Sequence, residues 1–483
     1  YFLAYYPAKM NADSFWQWAM AHKVTPYNDW HPVLHTWMIQ ATMGIYNSPA
    51  SYIILQIVIM ALVISYALFS FQKLGLPLWL AIVIDLFYAL NPVNGFLAIT
   101  MWKDIPFSAS ILLLTVLLIK MANDHDWIKK RSHVIGFVIV CFFASNLRSN
   151  GFEVVLASLL ITVALLKGVR RRLLFLMVPI LVLQFTFIGP VMSYFSVIKP
   201  PLNEALAIPS QQIAATYKYH GKFTPQLRAY FDQILPAKKW RKDYIPYNVN
   251  PIKWDKHYNA EVITANFPHY LSNWASLMML NPKIFVRAYM KQVAVIWQFT
   301  TPKGIKPYLV TPINLQQYPA YVKMRAPKYS IHLPYNKMVK ASYEYNNQFL
   351  RSHGRKALTF AEYQARLKQT FEPLKTTPAS KQLRKTMDKL LNHTRFNWKN
   401  YFVKGAIPLF FMLLSLVAAI SRYKRRGWMV YLPAIFVILT MAMAIPATDF
   451  RYSYGFAFSV PFLLIYPKLR NKNREENAAG EVL

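Results

Sequence analysis

The sequence has little cysteine, few acidic residues and a low overall share of charge. Its single cysteine, Cys141, excludes an internal disulfide, so any exported part must fold without such cross-links. Acidic residues number 20 against 55 Lys and Arg, which leaves a net charge of +35 although only 16% of residues are charged. The hydrophobic share of 55% excludes a disordered basic tail, because disordered chains lack the apolar residues that build a core.

The sequence also lacks the signatures of several common protein classes. No glycine-rich nucleotide loop followed by Lys and Ser or Thr occurs, so ATP-driven chemistry has no support. No internal repeat and no Gly/Ser-rich linker is evident. The apolar residues stand in long blocks, which argues against an ordinary soluble enzyme and favours a membrane protein.

These apolar blocks predict an all-α polytopic membrane protein. A membrane helix needs about 20 mostly apolar residues. We predict about nine transmembrane helices, at 49–71, 76–92, 105–122, 134–147, 151–167, 173–195, 403–421, 428–447 and 453–467. The chain starts with Tyr instead of Met, and residues 1–6 resemble the outer end of a helix, so we expect a further, truncated first span.

Short basic loops orient these spans, because such loops stay in the cytoplasm. They lie at 129–131, 167–172 and 422–426 and in the tail from 468, all on one side if nine spans alternate. The predicted outer loops of this plasma-membrane protein are then 7–48, 91–104, 146–151, 196–402 and 448–452. A further span at 285–299 would reverse the later loops, but Arg287 and Lys291 lie one turn apart there, which favours an interfacial helix.

The long segment 196–402 carries most of the excess charge, with 32 Lys and Arg against 9 Asp and Glu, a net charge of +23. Capping residues before proline, as in Thr224-Pro225, and a capping box from Thr359 to Glu362 predict helices there. We therefore predict an N-terminal transmembrane module (1–195) with a catalytic first outer loop (7–48), a basic, mainly α extracytoplasmic domain (196–402), and C-terminal helices with a cytoplasmic tail (403–483).

The charge of 196–402 suggests its partners. Outside a membrane, an anionic lipid or cell-wall polymer suits this basic, aromatic-rich surface better than nucleic acid does. The plain alternative is a basic face that rests on an acidic bilayer.

Polar residues gather at the predicted outer ends of the spans. The acids are Asp13, Asp29, Asp104, Glu153 and Asp449, and the bases are Lys103, Arg148 and Arg451, with His31 in the first loop. A carboxylate there can act as general base for a hydroxyl, and cations can stabilise a departing phosphate. The gathering therefore favours transfer of a group from a phosphate-linked donor.

Each candidate also has a purely structural interpretation. Asp13 can be only the N-cap of a helix at 14–22, Asp29 can be a turn residue, and Lys103-Asp104 can be a local ion pair. His31 and His35 have i, i+4 spacing but no third strong ligand nearby, so a zinc site has little support. The functional prediction depends on the clustering on one side.

The motifs resemble the GT-C superfamily of integral-membrane glycosyltransferases, which includes the protein O-mannosyltransferases. Such enzymes place an Asp just after the first membrane helix, the position that Asp13 occupies, and helices along the membrane follow it, like 14–22 and 33–46. The resemblance is closer still to an uncharacterised bacterial branch, and it covers 1–195 and 403–467. Its motifs are Tyr6-Pro7, Asp13-Ser14, Gln17, Asp29-Trp30-His31-Pro32, Thr36, Trp102-Lys103-Asp104, 147–151 and Phe450-Arg451-Tyr452.

The resemblance implies an inverting transfer of a sugar from a polyprenyl-phosphate donor to an acceptor on the outer face. Asp13 would be the catalytic base. Lys103, Arg148 and Arg451 would hold the donor phosphate. The residues left to position the acceptor, or a divalent cation such as Mg or Mn, would be Asp29, His31, Asp104, Glu153 and Asp449. The first-loop acid here is Asp-Ser instead of the paired acids common in the superfamily, which bears on metal dependence.

Two other classes compete with a glycosyltransferase. A transporter or flippase of a lipid-linked or anionic substrate should have repeated halves and charges near mid-membrane, and only Asp85 fits. A non-catalytic protein that binds cell-wall polymer through 196–402 would need the basic domain but no acidic cluster.

Overall fold

The computed structural model describes residues 1–200, 202–300, 330, 333–352, 354–393, 402–424 and 427–469. This part of the chain is helical and has no strand beyond isolated β-bridges, which confirms the predicted all-α class. Residues 1–200 form α1 (Ala12–Ala21), α2 (Val33–Ile45), α3 (Pro49–Gln72), α4 (Leu78–Leu90), α5 (Pro92–Ala98), α6 (Asp104–Asn123), α7 (Arg131–Asn146), α8 (Gly151–Leu165), α9 (Arg170–Thr186) and α10 (Met192–Tyr194).

The later helices are shorter between 202 and 300 and lengthen again afterwards. The described residues from 202 to 300 form α11 (Ala207–Lys218), α12 (Pro225–Ile234), α13 (Ala237–Asp243), α14 (Asn250–Lys253), α15 (Glu261–Ala265), α16 (Phe267–Leu280), α17 (Pro282–Gln292) and α18 (Ala294–Trp297). Those beyond 330 form α19 (Tyr335–Ser352), α20 (Phe360–Phe371), α21 (Pro378–His393), α22 (Ala406–Tyr423), α23 (Leu432–Ala444), α24 (Phe450–Ala457) and α25 (Val460–Ile465).

The predicted helix starts in the basic segment are present. The Thr224 side chain accepts a hydrogen bond from the Leu227 amide, with Pro225 at the first helical position of α12. Thr359 and Glu362 form a reciprocal capping box at α20. Because each cap satisfies an amide that the helix itself leaves open, these short sequences fix where the helices begin.

Four helices are long and apolar enough to cross a membrane: Pro49–Gln72, Asp104–Asn123, Arg170–Tyr194 and Ala406–Tyr423. The bent pair α4 and α5, with an angle of 60°, makes a fifth if it counts as one span. Three further predicted spans coincide with shorter apolar helices, α7, α8 and Met429–Ala444, and the last one is divided between α24 and α25. The described residues therefore give four or five candidate spans, and the count of nine stays a prediction.

Helix α6 lies at the centre of this bundle. In its most apolar stretch 83% of the residues are buried, whereas the same fraction is only 22–33% in the other three candidate spans. Exposed side chains on those three helices include Leu62, Phe175 and Val417. Apolar surface of this extent favours a non-aqueous environment around the outer helices. The N-terminal end of α6, with Lys103 and Asp104, thus lies in the middle of the bundle.

Segment 196–402 contributes to two hydrophobic clusters. Residues between Leu206 and Ala288 form a cluster of their own, built around Tyr217, Phe231 and Trp240. Residues of α19 to α21, among them Val339 and Leu367, join the main cluster of the apolar helices instead. The hydroxyl of Tyr5 also donates a hydrogen bond of 2.5 Å to Asp388 in α21. The first half of the segment therefore has a core of its own and also reaches the main cluster, through Ile208, Val293 and Ile296, whereas the described second half packs only against the main cluster.

Candidate active site

Backbone pairing holds the first loop against the residues before α6. The Lys9 amide donates to the Ile99 carbonyl at 2.8 Å, and the Met101 amide donates to the Lys9 carbonyl at 3.0 Å. The Ser14 hydroxyl adds a hydrogen bond of 2.7 Å to the Met101 carbonyl. Together these bonds place the start of α1 next to the end of the 99–103 segment, although about 90 residues separate them in sequence.

Asp13 lies in the first turn of α1 but does not cap it. The N-cap is Asn11, whose side chain accepts from the Ser14 amide while the Ser14 hydroxyl accepts from the Asn11 amide. The structural interpretation of Asp13 as an N-cap is therefore wrong. Its carboxylate is favoured electrostatically at the positive end of the helix dipole and is free to contact side chains from elsewhere.

The strongest of these contacts joins the two ends of the chain. The Arg451 guanidinium donates to Asp13 Oδ2, and His31 Nε2 lies 3.8 Å from Asp13 Oδ1. The side chains of Asp13 and Arg451 are only 22% and 16% exposed, so water screens this ion pair weakly. Burial alone would raise the pKa of Asp13, but the charges of Arg451 and Lys103 lower it below its ordinary range. Asp13 is therefore an anion at neutral pH.

Lys103 connects to Asp13 through His31. Lys103 Nζ lies 2.7 Å from His31 Nδ1, and burial, followed by the charge of Lys103, lowers the pKa of His31 to about 3. Because an ammonium group has no acceptor, His31 Nδ1 must accept and the ring proton resides on Nε2, toward Asp13. Burial also lowers the pKa of Lys103 itself to about 8, against the opposing effects of Asp104 and Asp13.

A second ion pair lies deeper, between Arg148 and Asp104. Arg148 Nε is 3.6 Å from Asp104 Oδ1, and both side chains are buried. The guanidinium also lies 5.4 Å from the ring centres of Phe107 and Tyr452 and donates to the Tyr452 carbonyl at 3.3 Å. Arg148 is therefore held from two sides, by the start of α6 and by the start of α24.

Arg451 is held as firmly. Its Nε lies 3.2 Å from Asp449 Oδ2, its NH2 group donates to the Tyr452 hydroxyl at 2.9 Å, and its guanidinium lies 5.0 Å from the Trp102 ring. Asp449 is the N-cap of α24 and accepts from the Arg451 amide. Burial raises the pKa of Asp449 to about 6, although Arg451 opposes this.

Two glycines allow these helices to approach closely. A Cβ on Gly151 would lie 2.1 Å from the Ala144 carbonyl oxygen, so only glycine permits the tight turn between α7 and α8 that carries Arg148. A Cβ on Gly455 would lie 3.1 Å from Phe107, a distance that lets α24 pack tightly on α6. The turn with Gly151 and the close contact at Gly455 bring Arg148 to Asp104 in the first turn of α6 and Arg451 to Trp102 just before that helix.

Tyr452 contacts both Arg148 and Arg451 and so joins the two groups of ion pairs. The structure thus brings seven of the nine predicted site residues together in what is here called the charged cluster: Asp13, His31, Lys103, Asp104, Arg148, Asp449 and Arg451. Asp29 lies at its edge, where its carboxylate accepts from the Val33 amide at 2.9 Å and burial raises its pKa. Glu153 is exposed in the first turn of α8, and no ion pair joins it to the cluster among the described residues. Its predicted role stays untested.

Several aromatic residues that were not among the nine predicted site residues surround the charged cluster. Trp102 and Tyr452 flank Arg451. Both belong to sequence motifs, Trp-Lys-Asp and Phe-Arg-Tyr, and this membership could have identified them as site residues. The Trp30 ring stacks on His31 at 4.6 Å and also packs against Trp254, at 4.9 Å. Trp254 comes from the basic segment, and no sequence signal marked it.

The motif residues Gln17 and Thr36 have a supporting position, together with His35. Gln17 Oε1 lies 2.9 Å from His35 Nδ1, and Gln17 Nε2 donates to the Thr36 hydroxyl at 3.2 Å. These buried contacts join α1 to α2. They fix the angle at which α1 presents Asp13.

The donor set of the charged cluster does not fit a divalent cation. Among the described residues there is no group of three His, Cys, Asp or Glu side chains arranged to hold a metal ion. Asp13, Asp104 and Asp449 each face a guanidinium, and a hard cation needs carboxylate oxygens that such neighbours leave open. The cluster holds three carboxylates against three cations, and each carboxylate already has a cationic neighbour.

Fold and site together define an all-helical protein with several apolar helices of membrane-spanning length and a buried cluster of alternating charges. A family model matches residues 25–481, so the chain belongs to the family of unknown function DUF6020. Asp13 precedes the matched range, whereas the other members of the charged cluster lie within it. Neither the curated proteins nor the solved structures gave a match.

Proposed function

We propose that this protein is a membrane glycosyltransferase of the GT-C type. It moves a hexosyl or pentosyl group from a polyprenyl-phosphate donor to an acceptor glycan, cell-wall polymer or lipid on the outer face of the plasma membrane. The observation that supports this proposal is the charged cluster, in which the partly exposed carboxylate of Asp13 lies beside Arg451 and within reach of Lys103 through His31. The three cations of the cluster suit the phosphate that leaves, and Asp13, one of its three carboxylates, suits the hydroxyl that attacks.

In the proposed reaction the acceptor hydroxyl oxygen attacks the anomeric carbon of the sugar from the face opposite the phosphate. The bond from that carbon to the phosphate oxygen breaks, and the configuration inverts. The hydroxyl proton passes to Asp13. The electron pair leaves with polyprenyl phosphate, whose charge Arg451, Lys103 and Arg148 stabilise.

Arg451 has two functions in this scheme. While it contacts Asp13 it lowers the pKa of that carboxylate, which makes Asp13 a weaker base. A donor phosphate competes with Asp13 for the guanidinium, because both are anions that accept its hydrogen bonds. Binding of the donor therefore releases Asp13 and raises its basicity when the base is needed. Asp449 and Tyr452 keep Arg451 in place during this exchange.

The proposal includes nine spans, with segment 196–402 and the charged cluster on the outer side. The first outer loop then contributes Asp13, and the basic segment, through Trp254, contributes an aromatic wall beside His31. Aromatic rings of this kind stack on sugar faces. Because the donor set does not fit a divalent cation, we derive no step through one. Activity measured in EDTA, and again after Mg²⁺ or Mn²⁺ is added, tests metal dependence directly.

The experiment that tests the proposal is a transfer assay on the purified, full-length protein in detergent. Polyprenyl-monophosphate hexoses and pentoses serve as donors, and cell-envelope glycan serves as acceptor. We expect donor-dependent labelling of the acceptor with release of polyprenyl phosphate. A flippase needs a sealed compartment and would give no product in detergent. Deletion of the gene, with the surface glycans compared by mass spectrometry, identifies the sugar. Unchanged glycans together with an inactive protein would refute the proposal.

A further inference from the structure

A cavity of about 470 Å³ lies at the opposite end of α1 from Asp13. Three parts of the chain line it: the end of α1 with the turn that follows, Phe195 just after α10, and the α19–α20 connection with the first turns of α20. Its floor is apolar, with Met20, Val24 and Leu350 buried there. About seven residues of helix separate Met20 from Asp13, so the cavity begins roughly 10 Å from the charged cluster.

The rim of this cavity is strongly basic. Lys23, Arg355, Lys356 and Arg366 line it, and Glu362 is the single acid. That acid is already engaged, since its carboxylate accepts from the amide and the hydroxyl of Thr359 in the α20 capping box. The two guanidinium groups are held by backbone carbonyls, Arg366 by Lys23 at 2.8 Å and Arg355 by Ser196 at 3.3 Å. The rim is therefore held in position and keeps an excess of positive charge, with four cations against the single carboxylate of Glu362.

Lys23 occupies a backbone conformation that normally favours glycine. Its φ is 54°, and the Val24 amide donates to the Ala19 carbonyl, the bond that closes a Schellman-type end of α1. A non-glycine residue in the left-handed region costs on the order of 1 kcal/mol. A lysine here therefore reduces stability relative to glycine while it presents a cation at the rim.

One residue that lines the cavity, Thr25, carries an unpartnered hydroxyl. Thr25 is only 5% exposed, and its hydroxyl has no hydrogen-bond partner in the part of the chain that the structure describes. A buried hydroxyl without a partner is costly. The hydroxyl oxygen itself is buried, so the Thr25 side chain must turn about χ1 before a group bound in the cavity can accept its proton and remove that cost. An anionic oxygen is such a group, and the basic rim selects for one.

The position along the chain suggests how the ligand arrives. Tyr194 ends the long apolar helix Arg170–Tyr194, Phe195 follows it directly, and both are exposed. Aromatic residues at the ends of membrane helices mark the level of the lipid headgroups. A phosphate group presented at the membrane surface therefore lies at the height of the cavity rim.

We propose that this cavity is a second anion site, distinct from the charged cluster, which binds the phosphate of a membrane-surface phosphodiester against Thr25 and the basic rim. The assignment stands independently of the role of Asp13. Two sources share this chemistry, an anionic lipid headgroup and a phosphate-bearing polymer, and the probes below distinguish them.

The test measures binding to the full-length protein. In nanodiscs or by native mass spectrometry, phosphatidylglycerol is compared with phosphatidylcholine, and soluble glycerol phosphate is the second probe. We expect Arg355→Gln with Lys356→Gln to weaken binding of the preferred probe about tenfold, since two charge-assisted contacts are lost. The matched control is Lys337→Gln with Lys340→Gln, which removes the same charge from exposed positions of α19 outside the cavity. Preference for the lipid identifies a lipid headgroup as the source, and equal binding of glycerol phosphate, which has no acyl chains, identifies a phosphate-bearing polymer.

Lys23→Gly and Thr25→Val separate binding from folding. Both changes relieve a local cost, so the melting temperature without ligand should stay the same or rise, while binding weakens severalfold. A purely structural role for these residues predicts the opposite pattern. The proposal fails if neither probe binds, or if the cavity variants and the control variant weaken binding equally, because then only the overall surface charge attracts the anion.

Discussion

Replacement of Asp13 by Asn tests the proposed base with little change of shape. The amide occupies the volume of the carboxylate and still offers an oxygen to Arg451, but it cannot take the proton of an attacking hydroxyl. Positioned general bases contribute about 10²- to 10⁴-fold to rate. We therefore expect kcat for sugar transfer to fall by about that factor, with a much smaller change in KM for the donor.

The structure also limits how far this substitution affects folding. Loss of one partner from a fully buried ion pair costs about 3–5 kcal/mol. Here Arg451 keeps Asp449 at 3.2 Å and the Tyr452 hydroxyl at 2.9 Å, and both members of the pair are partly exposed. We expect a loss of about 1–2 kcal/mol in the free energy of unfolding, well below the cost of an isolated buried charge.

The assay is transfer from polyprenyl-phosphate sugar in detergent, with melting temperature and expression measured on the same samples. Asp126→Asn is the matched control, because Asp126 is an exposed aspartate whose ion pair, to Lys129, lies outside the charged cluster. A variant Asp13→Asn with activity within threefold of the unmodified protein would refute the assignment of the base. A large loss of stability would show instead that Asp13 acts through folding.

Three further predictions concern the groups around Asp13. The pKa of Lys103 is lowered to about 8, so its charge is lost as pH rises through that value, and sugar transfer should decline above pH 8. Lys103→Arg keeps the charge at higher pH and should shift this decline upward. Asp104→Ala leaves Arg148 buried without its ion pair and should cost about 3–5 kcal/mol in chemical unfolding, part of which Arg148→Met in the same chain recovers. Gly151→Ala places a Cβ 2.1 Å from a backbone oxygen and should lower the melting temperature sharply. Gly44→Ala adds a Cβ in open space on α2, so it should raise the free energy of unfolding by up to about 1 kcal/mol and the melting temperature slightly.

The positions of the helices could be predicted because they depend on local signals. Apolar blocks, prolines and capping residues lie within a few residues of the backbone groups they influence, and Thr224 and Thr359 begin helices as predicted. The number of membrane spans depends on more than composition. A bend of 60° between α4 and α5, and the division of the last span into α24 and α25, arise from packing that the hydropathy of a single segment does not report.

The sequence predicted that these charged residues lie together, but it did not predict which acid pairs with which base. Asp13 contacts Arg451 across 438 residues of sequence, and which acid meets which base depends on the assembled helices. Tertiary packing also decided that Glu153 points outward while Asp104, one residue after Lys103, points into the bundle. The contact of Trp254 with Trp30 could not be predicted, because nothing in the neighbouring sequence distinguishes one aromatic residue from the others in an aromatic-rich segment.

The backbone connection between the basic segment and the C-terminal helices has a mechanical consequence. The Val249 amide donates to the Pro446 carbonyl, the Thr448 amide donates to the Tyr247 carbonyl, and Asn248 forms a β-bridge with Ala447. Thr448 directly precedes Asp449, so the cap of α24 is held in register by strand-like pairing from outside the helical bundle. The segment around 247 therefore restrains the backbone before α24. Excision of 202–300 would remove this restraint from the backbone that carries Asp449 and Arg451, even though every residue of the charged cluster would remain in the chain.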